Sequence, residues 1–136
     1  MTSSLQSTPP SRVTAARILV VDDEESIRDL CARVLTRAGY VVATAPSGED
    51  AIVRLEEEAF DLMISDIRMP GISGLEVLEH AKTTFPAIRV VLITGFGTPQ
   101  TLTRARQSGA DRILTKPFNP MELLAAVRES LPSHEQ

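Results

Sequence analysis

The sequence has a single cysteine, no tryptophan and few aromatic residues. A lone Cys31 excludes an intrachain disulfide and fits a reducing compartment. Aromatic residues at 4% and a net charge of −4 argue against nucleic-acid binding, which relies on basic side chains and stacking rings. No apolar run approaches the roughly 20 residues of a membrane span, and the N-terminus lacks the pattern of a signal peptide. These absences predict a cytoplasmic protein without direct nucleic-acid or membrane partners.

The remaining composition is that of an ordinary globular domain. Hydrophobic residues make up 43% and charged residues 24% of 136 positions, which is enough for one hydrophobic core. Residues 1–16 are dominated by Ser, Thr and Pro without an apolar period, so we predict a disordered N-terminal tail. We predict one domain over 17–132 and a short C-terminal tail over 133–136.

Short apolar runs alternate with helical periodicity along this domain. Runs that are apolar throughout suit strands covered on both faces, and apolar residues spaced three and four apart predict amphipathic helices. Cys31 falls on such an apolar stripe with Ala38, so we expect it to be a buried hydrophobic residue. The predicted strands are 17–21, 40–45, 61–65, 90–94 and 112–115. The first predicted helix ends at Gly39, and the others cover 48–58, 73–84, 99–108 and 120–131. Gly109 closes the fourth helix, and Leu124, Val127 and Leu131 form the apolar stripe of the fifth. This order predicts an α/β fold with a doubly wound, five-stranded parallel sheet.

Polar residues stand where the predicted strands end. They are Asp22, Asp23, Asp66, Thr94 and Lys116. Ligands of doubly wound sheets bind at the carboxyl ends of strands, so these side chains should converge. Three carboxylates repel one another unless a cation is bound, and oxygen ligands suit Mg²⁺. Mg²⁺, a lysine and a hydroxyl would support phosphoryl transfer to the remaining carboxylate.

Each of these residues also has an ordinary structural explanation. The acidic run 22–25 suits a helix N-terminus, and Asp66 could form a turn. Thr94 could simply end a strand, and a lysine before proline is usually a solvated charge. The functional interpretation depends on all of them falling at strand ends in one alternating pattern.

The motifs ILVVDDE (18–24), DLMISDIRMPGISGLE (61–76), VVLITGFG (90–97) and KPF (116–118) identify a resemblance. The chain from about 17 to 131 resembles the receiver domain of bacterial two-component response regulators. Its Arg-Met-Pro and Thr-Gly-Phe-Gly forms look like receivers of the nitrogen-regulation type, related to chemotaxis regulators. The resemblance implies a flavodoxin-like fold with strand order 2-1-3-4-5 and five helices.

The resemblance also implies chemistry. Asp66 matches the phosphoacceptor, which receives its phosphoryl group from a histidine kinase or phosphotransfer protein. Such a domain catalyses only its own phosphorylation and dephosphorylation and is not an enzyme for external substrates. Further implied roles are Mg²⁺ ligation by Asp22, Asp23, Asp66 and the backbone carbonyl of Arg68, phosphate contact by Thr94 and Lys116, and a cis peptide bond before Pro117.

One position departs from the family pattern. Receivers often carry an aromatic residue three positions before the lysine, where this chain has Ile113. An isoleucine cannot move a ring between solvent and core, so we hypothesise that switching relies on the loop Gly95-Phe96-Gly97. The side chain of Arg68 should project over the site, to gate it or contact a partner, unless it is simply solvated.

Several functions remain open at this stage. The leading one is a signalling module whose fourth helix, fifth strand and fifth helix form an output face for a downstream protein, with a phosphorylation-dependent dimer as a further candidate. No DNA-binding helix pair or enzyme domain follows residue 131 in this sequence, so the chain is expected to be either a single-domain regulator or the receiver part of a longer one. The alternatives are a phosphorylation-independent interaction module and a Mg²⁺-dependent phosphohydrolase, which would need a substrate pocket and a separate acid–base residue.

Overall fold

The predicted five-stranded parallel sheet is confirmed, and its strands lie in the predicted order, with the second strand of the chain at one edge, followed by the first, third, fourth and fifth. The computed structural model describes residues 15–95 and 97–132. The predicted C-terminal tail, the predicted N-terminal tail up to residue 14, and Phe96 lie outside these ranges. In chain order the elements are β1 Arg17–Val21, α1 Glu25–Arg37, β2 Val41–Ala45, α2 Gly48–Glu57, β3 Leu62–Asp66, α3 Gly74–Thr84, β4 Arg89–Thr94, α4 Pro99–Gln107, β5 Arg112–Thr115 and α5 Pro120–Ser130.

The central strands are buried on both faces, as their continuous apolar sequences predict. Alternate residues of a strand point to opposite sides of the sheet. In β1, Leu19 and Val21 contribute to a core beneath α2, α3 and α4. Ile18 and Val20 contribute to a second core beneath α1 and α5. The sheet therefore lies between two helical layers.

Burial in α1 and α5 can be compared with the apolar stripes that the sequence predicts. Cys31 is fully buried, which confirms the prediction for that residue. Ala38 was placed on the same apolar stripe, but it is exposed. That prediction was wrong because Ala38 is the C-cap, where the helix ends and the chain turns away. In α5, Leu123 is fully buried although the apolar stripe did not single it out.

Helix ends follow the local sequence closely. Gly39 and Gly109 have φ values of 102° and 104° and end α1 and α4, as predicted. Ser73 and Asn119 form capping boxes with Glu76 and Glu122, which fix the starts of α3 and α5. Within the described residues, no helix has the length and apolar character needed to cross a membrane.

Candidate functional site

The predicted polar residues meet at the carboxyl edge of the sheet. Asp22 directly follows β1, Asp66 ends β3 and Thr94 ends β4. Parallel pairing aligns these ends, since Val21 pairs with Ser65 and Asp66 pairs with Ile93. The fold thus places residues distant in sequence along one rim, and the lysine that follows β5 joins them.

Three carboxylates form the acidic part of the site. Oxygen atoms of Asp22, Asp23 and Asp66 lie within 4.8 Å of one another. Asp22 is fully buried, Asp66 is 6% exposed and Asp23 is exposed. Burial raises the pKa of Asp22, and the nearby charge of Asp66 raises it further, while a backbone hydrogen bond from Glu24 lowers it. Burying a carboxylate beside like charges is costly, which makes the cluster suited to a cation.

Only one of the two oxygens of the Asp22 carboxylate has a hydrogen-bond partner among the described residues. Its Oδ1 accepts a hydrogen bond of 2.9 Å from the backbone N–H of Glu24. Its buried Oδ2 has no hydrogen-bond partner anywhere in residues 15–95 and 97–132. The Lys116 ammonium lies 3.6 Å from that oxygen, beyond hydrogen-bond distance. A buried carboxylate oxygen without a hydrogen-bond partner is well suited to ligate a metal ion.

Lys116 links the acidic residues. Its Nζ donates to Asp66 Oδ2 over 2.9 Å and to Glu24 Oε1 over 3.0 Å. Burial by itself would lower the pKa of Lys116, but the hydrogen bonds to Asp66 and Glu24 and the charge of Asp22 hold the pKa above its usual value. The solvated-charge alternative for Lys116 is therefore wrong, because its side chain is 22% exposed and directed into the site.

Asp66 is fixed from two sides. Its Oδ1 accepts a hydrogen bond from the backbone N–H of Arg68 at 3.1 Å, while Oδ2 faces the lysine. Gly74, at the start of α3, packs so closely that a Cβ there would lie 2.1 Å from the Asp66 carbonyl oxygen. The turn after β3 thus requires glycine at this position, and α3 is held directly against the backbone of Asp66.

Thr94 has a buried hydroxyl at the end of β4. The residue is 4% exposed, and its Oγ1 finds no hydrogen-bond partner among the residues the structure describes. Its backbone carbonyl accepts a hydrogen bond of 2.8 Å from the N–H of Lys116, so the two predicted phosphate contacts are joined through the backbone. A hydroxyl without a partner at this edge of the sheet can donate to an anion's oxygen.

The other predicted residues lie around this centre. The Lys116–Pro117 peptide bond is cis, as the resemblance implies. Ile113 is half-buried and packs against the core beneath α2, α3 and α4. Gly95 is exposed. The Arg68 side chain is exposed and makes no ion pair or hydrogen bond to the described part of the chain. Its proposed gating role therefore stays a prediction.

Sequence reasoning missed two contributors. Glu24 was interpreted only as part of an acidic helix start, yet its carboxylate contacts Lys116. Arg28, one turn into α1, donates to the Asp22 carbonyl over 2.7 Å and fixes the turn after β1. The spacing between Asp22 and Arg28 could have suggested the second contact. Nothing in the sequence pairs Glu24 with a lysine 92 residues away.

Comparison with known proteins agrees with this geometry. Residues 18–128 match the response regulator receiver domain family. The chain is 42% identical over 113 residues to the uncharacterized transcriptional regulatory protein YrkP of Bacillus subtilis, covering 83% of this chain and 48% of YrkP. It is 34% identical over 126 residues to the response regulator protein FleR of Pseudomonas aeruginosa, covering 90% of this chain and 27% of FleR. The chain thus spans about half or less of these relatives.

Solved structures give the same result. The chemotaxis protein CheY4 of Vibrio cholerae superposes with a TM-score of 0.83 at 32% identity, covering 87% of this chain and all of CheY4. NtrX of Brucella abortus superposes with a TM-score of 0.81 at 36% identity, covering 87% of this chain and 27% of NtrX. The predicted resemblance is therefore confirmed: the chain belongs to the receiver domain family of two-component response regulators and to phosphorelay signalling.

Proposed function

We propose that Asp66 accepts a phosphoryl group in the presence of Mg²⁺ and that the modified domain changes its α4-β5-α5 face. One observation carries this proposal. A nearly buried carboxylate, Asp66, receives a hydrogen bond from Lys116 beside two groups with unused bonding capacity, Asp22 Oδ2 and the Thr94 hydroxyl. One of these groups favours a cation and the other can donate to an anion. A phosphoryl group with its counter-ion provides both.

The three carboxylates are not equally suited to act as the nucleophile. Asp22 is fully buried and one of its oxygens is held by a backbone N–H, so a phosphoryl donor cannot approach it. Asp23 is exposed and has no contact with the lysine that would neutralise transferred charge. Asp66 retains 6% exposure and is oriented through both oxygens. These differences support Asp66 as the acceptor.

The acidic cluster fits Mg²⁺. Hard carboxylate oxygens with an open side toward solvent suit this ion, which keeps several of its waters. Asp22, Asp23 and Asp66 would hold it, and the Arg68 carbonyl is a further proposed ligand. When bound, Mg²⁺ neutralises negative charge on the phosphoryl oxygens.

The residues of the chain supply the remaining requirements. An Asp66 oxygen forms a bond to phosphorus while the donor's phosphorus–nitrogen bond breaks, and the histidine nitrogen keeps the electron pair and takes a proton from solvent. Lys116 lies 2.9 Å from the acceptor carboxylate and can stabilise the transferred charge without moving far. Attack by water on phosphorus later releases phosphate and restores the carboxylate.

The output follows from where these residues are attached. Thr94 leads through Gly95 into the segment before α4, and Lys116 stands between β5 and α5. A Thr94 hydroxyl that donates to the phosphoryl group would shift an existing equilibrium of the adjoining loop and helix. We propose that a histidine kinase or phosphotransfer protein is the donor in the cytoplasm and that a downstream protein, or a second copy of the chain, reads the altered face.

Intact mass after incubation with acetyl phosphate tests the proposal. The wild-type protein should gain one phosphoryl group only when Mg²⁺ is present, and Asp66→Asn should gain none. Asp50→Asn is the matched control, because it makes the same change at an exposed residue of α2. Failure of the wild-type protein to be modified by acetyl phosphate and by purified histidine kinases would refute the proposal and favour a phosphorylation-independent interaction module.

A further inference from the structure

The ammonium of Lys116 is shared between two carboxylates that differ in their surroundings. The bond to Asp66 Oδ2 measures 2.9 Å and the bond to Glu24 Oε1 measures 3.0 Å. The Asp66 side chain is 8% exposed, whereas the Glu24 side chain is 58% exposed. An ammonium has three N–H donors, so the hydrogen bond to Glu24 occupies one donor that a ligand on Asp66 could otherwise use.

The position of Glu24 in α1 makes this contact notable. Glu24 is the N-cap residue, a position where the shorter side chains of Ser, Thr, Asp and Asn usually accept a hydrogen bond from the helix. Here the side chain makes no such cap bond and extends to the lysine after β5 instead. The start of α1 relies on the Glu24 carbonyl, which accepts from Ile27 and Arg28. The carboxylate is therefore not needed to begin the helix.

We propose that Glu24 is a positioning residue that competes with the phosphoryl group for Lys116 and so restrains phosphorylation of Asp66. This inference depends on the proposed function. In the unmodified protein, Glu24 holds part of the ammonium's bonding capacity and adds a negative charge near the acceptor. A phosphoryl group that arrives at Asp66 competes with Glu24 for the lysine and meets the negative charge of Glu24. Loss of the Glu24 carboxylate therefore favours the modified state.

Two substitutions separate the hydrogen bond from the charge. Glu24→Ala removes both and leaves the helix start intact, because the side chain does not cap it. Glu24→Asp keeps the charge but is one methylene shorter and cannot reach the lysine in the same geometry. Glu25→Ala is the matched control, since this exposed neighbour makes no ion pair or hydrogen bond with Lys116.

The test measures the initial rate of phosphorylation by acetyl phosphate at saturating Mg²⁺, and the apparent affinity for beryllofluoride, a phosphoryl analogue, by thermal shift. Glu24→Ala should raise both by roughly three- to fivefold, the upper range for a partly exposed ion pair. Glu24→Asp should raise them in the same direction, and Glu25→Ala should match the wild type. The affinity readout reports on the lysine without depending on donor chemistry.

The outcomes distinguish this inference from the function beneath it. A wild-type protein that neither takes a phosphoryl group nor binds beryllofluoride refutes both. If the wild type is phosphorylated but Glu24→Ala and Glu25→Ala have the same phosphorylation rate and the same beryllofluoride affinity, the inference is overturned and the proposed function stands. Glu24→Asp indistinguishable from the wild type would also overturn it, because charge rather than competition for Lys116 would then explain the effect.

Discussion

The buried hydroxyl of Thr94 offers a sharp prediction, because it affects stability and signalling in opposite directions. The residue is 4% exposed, and no residue in the described ranges gives its Oγ1 a hydrogen bond. Burying a hydroxyl without a partner costs about 1–3 kcal/mol. Thr94→Val keeps the shape of the side chain and removes that cost. The free energy of unfolding of the unmodified protein should rise by about 1–3 kcal/mol.

This stabilisation should raise Tm by roughly 3–12 °C, at about 3–4 °C per kcal/mol for a domain of this size. Phosphorylation should reverse the advantage, because valine cannot donate to the phosphoryl oxygen. The rise in Tm on adding beryllofluoride and Mg²⁺ should therefore be smaller for the variant than for the wild type. Urea unfolding and thermal melts, each with and without the analogue, measure both effects.

Thr115→Val is the matched control. Thr115 is the register partner of Thr94 on the neighbouring strand, but it is exposed. Its substitution should change stability by less than about 0.5 kcal/mol. A Thr94→Val variant that is destabilised by about 1 kcal/mol or more would refute the reasoning, because the hydroxyl would then have a bonding partner in the unmodified protein.

Two further predictions concern residues away from the site. Burial raises the pKa of Cys31 to about 12. Its thiol should therefore resist Ellman's reagent at pH 8 in the native protein and react fully in denaturant. Rapid reaction of the native protein would contradict the buried position. The hydrogen bond from Arg104 lowers the pKa of Glu79 in the folded protein. The stability that this ion pair contributes is therefore fully present above the ordinary pKa of a glutamate. It is lost as the pH falls through the lowered pKa of the folded protein. Glu79→Gln should accordingly destabilise the protein by at most about 1 kcal/mol at pH 7 and progressively less in acid, measured by urea unfolding across pH. Glu57→Gln on α2 is the control, and an equal loss at every pH would exclude the ion pair as the cause.

Much of the fold was accessible from local sequence. Apolar runs such as 62–64 and 90–93 suit burial on both faces, so they predicted strands of a parallel sheet. The strand order, which is confirmed, was implied by the family resemblance. Glycines at 39 and 109 marked helix ends because only a residue without Cβ adopts positive φ easily. The pattern failed at Ala38 and Leu123, because apolar spacing indicates a helical face but not where the helix ends or how a neighbour packs.

The candidate site was predictable in its membership but not in its contacts. Residues at the ends of parallel strands must share an edge, so Asp22, Asp66 and Lys116 could be grouped from the sequence. Their hydrogen bonds depend on side-chain rotamers and on burial, which the chain acquires only when it packs.

The sequence by itself determined the parallel α/β architecture and the family, because hydrophobic periodicity and the residues after each strand depend only on local order along the chain. The tertiary structure decided which buried polar groups are left without hydrogen-bond partners and which carboxylates share the Lys116 ammonium. Asp22 Oδ2 and the Thr94 hydroxyl lose water when the helices close over the sheet, and Glu24 meets Lys116 only because α1 begins and β5 ends at the same edge. Burial and proximity across 92 residues are properties of the folded chain, so no local pattern encodes them.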